Sequence, residues 1–251
     1  GTAIHSVLYE EFDLTMIPSP LLKVKNSIDQ YFLLVDKSKQ KLYLYKYDGK
    51  FHRVKTFNCT TGANSGDKWE NGDLKTPEGI YFFTNVWQDK DLVRQYGEKE
   101  AVQYGIRAYN TSYPNVIDKM NNKNGYGTWL HATDNPERIQ QPYDTKGCIV
   151  IQNNDMEDVT PFITLGKTPI IVVKELKNLP ERAIEIERSL IEQFIEAWRS
   201  SWESREIKWY EEFYSRTFKS DEFEYNGWIR HKKLIFSQYS RLNITVSELQ
   251  I

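Results

Sequence analysis

Two cysteines, Cys59 and Cys148, are all that the 251 residues contain. A single pair so far apart in sequence is not the Cys-dense framework of a disulfide-stapled domain, so the fold must rest on an apolar core. Charge of one sign is also scarce. With 33 basic against 35 acidic residues, the formal net charge of -2 supplies no excess positive field, which excludes an ordinary nucleic-acid binder or a polybasic membrane binder. No apolar run approaches the roughly 18 residues needed to cross a bilayer, so no transmembrane segment is expected. The opening GTAIHSVLYEEF has neither the basic nor the apolar region of a signal peptide, and is compatible with a leader removed ahead of it. Histidines number four, and none forms an H-E-x-x-H or C-x-x-C spacing, so neither metal nor another cofactor is expected.

What is present suffices for a sizeable core: 39% of the residues are hydrophobic and 14% aromatic. Residues 1–28 read as an N-terminal arm, because Pro18 and Pro20 favour extended chain. The arm packs either on its own domain or on a second copy, the latter giving a homodimer. From Tyr31 the pattern turns to strands. Tyr31–Val35, Lys41–Tyr47 and Phe51–Asn58 are rich in β-branched and aromatic residues, and Asp48-Gly49 is a two-residue hairpin signal. Further strand candidates are Ile80–Trp87, Thr128–His131, Cys148–Ile151 and Pro169–Val173, with a helix from an Asn154 or Asp155 N-cap to about Ile163. Between Gln88 and Tyr126 the pattern weakens to a short helix near Asp91–Tyr96 and loop chemistry at Asn110–Asn115 and Asn121–Gly125, a stretch read either as a lid or as a surface excursion. Seven strands with few helices point to a β-rich domain over 29–175.

The stretch 128–153, TWLHATDNPERIQQPYDTKGCIVIQN, carries the chemistry. His131 precedes Cys148 by seventeen positions, and the cysteine follows Gly147 at the head of an apolar strand. A thiol whose proton a neighbouring imidazole removes is a strong nucleophile, so a Cys and a His in contact are sufficient for acyl transfer. Spacing alone does not establish that contact. Without further motif, Cys148 reads as a small buried hydrophobe and His131 as an ordinary core or surface histidine. His5, His52 and His231 keep that reading, and Cys59 reads as packing.

The pieces Thr61-Gly62-Ala63-Asn64, Lys75-Thr76-Pro77-Glu78-Gly79-Ile80-Tyr81, Leu130-His131 and Thr145-Lys146-Gly147-Cys148-Ile149 occur in an order that resembles the L,D-transpeptidase, or YkuD-type, family. The resemblance covers about 145 residues. It implies a mixed β-sandwich catalytic domain acting on peptidoglycan stem peptides in the periplasm. Cys148 would be the nucleophile, His131 the base, and the Ala132 carbonyl the group that orients the imidazole. The amides of Gly147 and Cys148 would hold the oxyanion, with Tyr126 nearby, and Lys146, Thr145, Tyr126, Trp129 and Arg107 would contact substrate. Three departures stand out: Ala132 replaces the family's glycine, Thr145-Lys146 replaces Ser-His or Ser-Arg, and Val150 replaces Arg or Asn. These departures look like those of the L,D-carboxypeptidases of helical and curved bacteria, which append an NTF2-like domain.

The C-terminal stretch 176–251 supports the comparison separately. Ile191, Phe194, Ile195, Trp198 and Trp202 fall at helical spacings, and Trp209, Tyr210, Phe213 and Tyr214 repeat the pattern. Pro180 and Glu181–Glu187 mark a linker or helix start, and Leu242, Ile244 and Val246 alternate as a strand would. Helices followed by a strand resemble the first half of a small α+β NTF2-like cone, whose sheet would be incomplete within this stretch. Its four tryptophans read as core rather than sugar platforms. The expected function is L,D-carboxypeptidation, removal of the terminal D-alanine from tetrapeptide stems through a Cys148 thioester with an effect on cell shape. The alternatives are an L,D-transpeptidase that forms cross-links and a non-catalytic wall-binding module.

Overall fold

Alternating apolar residues, opposed across antiparallel ladders, generate most of the architecture. The computed structural model describes residues 16–20, 30–48, 51–220, 222–247, 249 and 251. Gly49 of the expected turn, His5, and all of the 1–28 arm except 16–20 lie outside the described residues. The chain divides into two compact units, Asn26–Lys177 and Asn178–Ile251, the latter including the described part of Gly1–Lys25.

In the second of these units β1 (Met16–Pro18) is extended, as its prolines predict. The strands of the first are β2 (Gln30–Asp36), β3 (Lys41–Tyr47), β4 (Phe51–Asn58), β5 (Gly79–Gln88), β6 (Arg107–Thr111), β7 (Trp129–Thr133), β8 (Ile149–Gln152) and β9 (Pro169–Val173). They form one eight-stranded array in the order β4-β3-β2-β9-β5-β6-β7-β8. Tyr47 stands opposite Phe51, so three residues rather than two join β3 to β4. The long β5 serves two neighbours: Gly79–Phe82 pair with β9, and after an irregularity at Phe83/Asn85 the rest pairs with β6. That bend folds the array over one core, in which Leu33, Leu44, Phe57 and Ile170 from one half meet Tyr109, Leu130, Ile149 and Ile151 from the other. Cys59 is fully buried in this core and unbridged.

Two features of this unit differ from the sequence reading. Strand β6 was read partly as loop, because Asn110 and Thr111 are polar. Both find partners inside the fold: Asn110 Oδ1 accepts from Trp87 Nε1 at 2.6 Å, and Thr111 Oγ1 donates to the Thr128 carbonyl at 2.7 Å. The short helices are α1 (Asp89–Tyr96), α2 (Glu98–Ala101), α3 (Val116–Met120), α4 (Pro136–Gln140) and α5 (Asn153–Val159). The N-cap of α5 is Gln152 rather than Asn154 or Asp155, since the β8 ladder persists to Gln152 and the chain turns immediately after it.

In the other unit β1 pairs with β10 (Asn178–Pro180). Helix α6 (Glu181–Ser204) begins directly after Pro180 and ends at Arg205 in the left-handed region. Helices α7 (Ile207–Glu211) and α8 (Tyr225–Gln238) follow, the last unanticipated. Tyr210, Tyr225, Ile229 and Phe236 form its core, with Trp202 and Trp228 packed against it. The strand expected at Leu242–Val246 does not form among the described residues. The segment is tied instead to side chains of α6: the Ile244 amide donates to Glu203 Oε1 at 3.0 Å, and its carbonyl accepts from Arg199 at 3.4 Å. Among the described residues no helix is long and apolar enough to cross a membrane.

Candidate active site

Strands β7 and β8 run parallel, with Leu130 opposite Ile149 and His131 opposite Val150. Parallel neighbours need a crossover, here residues 134–148 with α4, and residues facing each other across the pair point to the same side. Leu130 and Ile149 enter the core, so Trp129, His131 and Cys148 share the opposite face. His131 and Cys148 are thus diagonal neighbours on adjacent strands, within reach of long side chains.

The imidazole is almost completely buried, at 4% exposure. Its Nδ1 lies 2.8 Å from the Ala132 carbonyl. A carbonyl only accepts, so Nδ1 carries the hydrogen and Nε2 presents its lone pair. Burial pushes the His131 pKa down to about 4, against the raising effect of that carbonyl and together with the positive charge of Arg138. The half-buried Cys148 thiol donates towards the Gly127 carbonyl at 3.6 Å. Burial raises its pKa, while the Trp129 main-chain amide and the charges of Arg138 and Lys68 pull it back. At neutral pH the resting pair is therefore thiol and neutral imidazole rather than an ion pair.

The motif pieces converge on the loop that presents the cysteine. Thr61–Asn64 lie against it: the Thr145 amide donates to the Thr61 carbonyl at 3.1 Å and the Ala63 amide to the Thr145 carbonyl at 2.8 Å. Buried Thr76 accepts from the Gly62 amide at 2.8 Å and donates to the Gly147 carbonyl at 3.0 Å. Thr145 Oγ1 donates to the Cys148 carbonyl at 2.7 Å and accepts from the Gly147 amide at 3.0 Å. Gly147 has φ +126°, and a Cβ there would stand 2.8 Å from the Lys75 carbonyl oxygen, so the position requires glycine.

The expected site residues fare differently. Cys148, His131 and Trp129 share one face of the β7–β8 pair, the Ala132 carbonyl holds His131, and Thr145 is bonded to the Cys148 carbonyl. Thr145 is buried and braces the loop instead of facing solvent, a correction to its reading as a substrate contact. The Gly147 amide is engaged by Thr145, which corrects its assignment to the oxyanion. Lys146 is exposed beside the cysteine, and Tyr126 is 70% exposed one residue before the carbonyl that receives the thiol. Arg107 is not part of the group. It precedes Ala108, which pairs with His131, and so lies on the other face, where its guanidinium is bound to Gln88 and Thr160. Ala132 sits in a regular strand without positive φ, and its methyl is accommodated by Gly105, whose own Cβ would approach it to 2.8 Å.

Sequence reasoning missed three neighbours. Tyr104 packs edge-on against the His131 ring at 5.1 Å, and its hydroxyl pKa is raised by burial and by the Cys148 charge. Arg138, on α4, pairs with Asp144 at 2.9 Å and donates to the Gln103 carbonyl next to Tyr104. Lys68 is buried on the loop ahead of the Lys75-Thr76 segment. No motif marks any of them: Lys68 and Tyr104 come from other segments, and Arg138 sits within the crossover as an ordinary charged helix residue.

A histidine and a cysteine lie on one face of the parallel β7–β8 pair, and a glycine-dependent loop leads into the cysteine. Residues 30–172 match the L,D-transpeptidase catalytic domain (YkuD), and the chain belongs to that family of peptidoglycan enzymes. Residues 190–251 match the Cds6 C-terminal NTF2-like domain, here largely helical. The fold is similar to that of Bd1075 from Bdellovibrio bacteriovorus, at 31% identity and TM-score 0.74, covering 90% of this chain and 78% of that one. It is also similar to the helical cell shape determining protein Pgp2 from Campylobacter jejuni, at 26% identity and TM-score 0.68, covering 91% and 79%. A search of curated proteins gives no match.

Proposed function

We propose that the protein is a peptidoglycan L,D-carboxypeptidase of the periplasm that trims tetrapeptide stems to tripeptides and so influences cell shape. The observation that carries this reading is the placement of His131 and Cys148 on one sheet face with Nδ1 fixed on the Ala132 carbonyl, so that Nε2 is the base. His131 takes the thiol proton as Sγ attacks the carbonyl at the L-centre of diaminopimelate. The Cys148 amide supports the oxyanion, a contribution of about 3 kcal/mol for a well-placed donor. As the tetrahedral adduct collapses, the C–N bond breaks and the imidazolium returns its proton to the departing D-alanine amine. A thioester remains. Water then gives a proton to Nε2, attacks the thioester and releases tripeptide, and Cys148 regains its proton.

Water is preferred to an amine acceptor because of Lys146, Val150 and the NTF2-like unit, which are features of resemblance to the carboxypeptidase branch. Similarity to a cell shape determining protein supports the cellular role. Incubation with disaccharide tetrapeptide, followed by mass spectrometry, is expected to yield D-alanine and tripeptide, and Cys148→Ala to yield neither. Cross-linked dimer as the main product would make the enzyme a transpeptidase. An unchanged product profile in Cys148→Ala, with retained binding to sacculi, would make it a wall-binding module.

A further inference from the structure

Lys68 belongs to no motif, yet it is 3% exposed and its side chain reaches the loop that leads into Cys148. Two contacts place it. A Cβ on Gly125 would stand 2.6 Å from its Cε, so the side chain fits only because that position lacks a Cβ, and its Nζ lies in van der Waals range of Gly147, 3.8 Å from where a Cβ there would stand. The ammonium donates to Asp73 Oδ1 at 2.7 Å and to the Glu70 carbonyl at 3.2 Å, which uses two of its three hydrogens. Asp73 is itself the hub of the loop. It accepts from the amides of Trp69, Glu70 and Lys75 at 2.8, 3.2 and 3.0 Å, and these bonds with Lys68 hold its carboxyl down at about 2, against burial.

We propose that Lys68 is a positioning residue that holds a buried positive charge against the Gly147–Cys148 peptide and thereby sets the ionisation of the nucleophile, with Asp73 tempering that charge. The proposal deepens the catalytic reading of Cys148 and rests on it. A fixed cation at the loop stabilises the thiolate as it forms and the oxyanion that follows, in a place where water cannot screen it. The other groups bearing on the sulfur are Arg138 from α4 and the Tyr104 hydroxyl, with His131 on the same face of the neighbouring strand. Facing Lys68 are Asp73 and the Tyr113 hydroxyl, which donates to its carbonyl at 3.4 Å. Arg138 approaches from the crossover and is paired with Asp144, so the two cations act from separate segments and are separable by mutation.

The test is the pH dependence of Cys148 alkylation by iodoacetamide in the whole chain, read by peptide mass. It needs no peptidoglycan, so it stands or falls apart from the D-alanine assay. Lys68→Met keeps the packing against Gly125 and removes the charge; its alkylation midpoint is expected to rise by about one pH unit, or roughly tenfold less thiolate below it. Asp73→Asn leaves the charge uncompensated, and its midpoint is expected to fall. A merely structural role would disturb both variants in the same direction, and that outcome, or an unmoved midpoint in Lys68→Met, would overturn the proposal. If Lys68→Met does not fold, Lys68→Arg is expected to keep the wild-type midpoint and Lys68→Gln to raise it; the reverse order refutes the idea. Should neither neutral variant fold, Asp73→Asn alone decides, a downward shift supporting the proposal and any other result refuting it.

Discussion

Replacing Thr76 with valine conserves shape and deletes one oxygen. That oxygen joins three motif segments, since it accepts from the Gly62 amide and donates to the Gly147 carbonyl, and the residue has no exposure to recover either bond from solvent. Each abandoned buried partner costs about 1–3 kcal/mol, so Thr76→Val is expected to destabilise the Asn26–Lys177 unit by about 2–6 kcal/mol. Thr76→Ser retains the hydroxyl and loses a methyl, for a cost of about 1 kcal/mol. Urea unfolding gives the stabilities, and amide hydrogen exchange at Gly62 reports the bond directly. The valine variant is also expected to lose at least tenfold in D-alanine release, because Gly147 is the residue its bond restrains next to Cys148. A loss of stability below 0.5 kcal/mol, with slow exchange retained at Gly62, would refute the reasoning on both counts.

Other expectations follow from the same geometry. His131 is held neutral, with its pKa down at about 4 from an ordinary 6.5, so the unfolded chain binds a proton on acidification before the native one does. Its contribution is complete above pH 6.5 and declines towards pH 4 by about 3 kcal/mol; the stability difference between the wild type and His131→Asn across that window measures it. Gly147→Ala forces a side chain into positive φ against the Lys75 carbonyl and is expected to cost at least about 2 kcal/mol, with alkylation of Cys148 altered in the folded fraction. Gly105→Ala is expected to push on Ala132 and Asn153 and to reduce turnover, with partial recovery in the double variant carrying Ala132→Gly, measurable as coupling in a double-mutant cycle.

Much of the β unit was legible because its strands alternate and its turns carry glycine. The candidate site was legible because its cysteine follows a glycine that the fold cannot replace. Strand β6 was not, since its asparagine and threonine are polar residues whose partners come from Trp87 and Thr128, far along the chain. Helix α8 was hidden for a related reason. Its inward stripe, Tyr225, Trp228, Ile229 and Phe236, is interrupted by Lys232, a residue that periodicity counts as polar. Folded, that lysine is 7% exposed, with its ammonium 3.7 Å from the Trp202 ring centre and 4.2 Å from that of Trp228. Lys68 and Arg138 escaped notice because a charge acts through space, and sequence distance does not measure it.

The parallel pairing of β7 with β8 separates what must stay fixed from what is free to vary. His131 and Ile149, the residue after Cys148, are held in register by main-chain rungs, while residues 134–144, ahead of the braced Thr145–Gly147 segment, have only to return to the same starting point. Insertions or exchanges in that connection would remodel the approach to the sulfur, and with it the choice of incoming molecule, without shifting either reacting atom. Divergence among relatives is therefore expected to concentrate there, with the rungs themselves inherited unchanged.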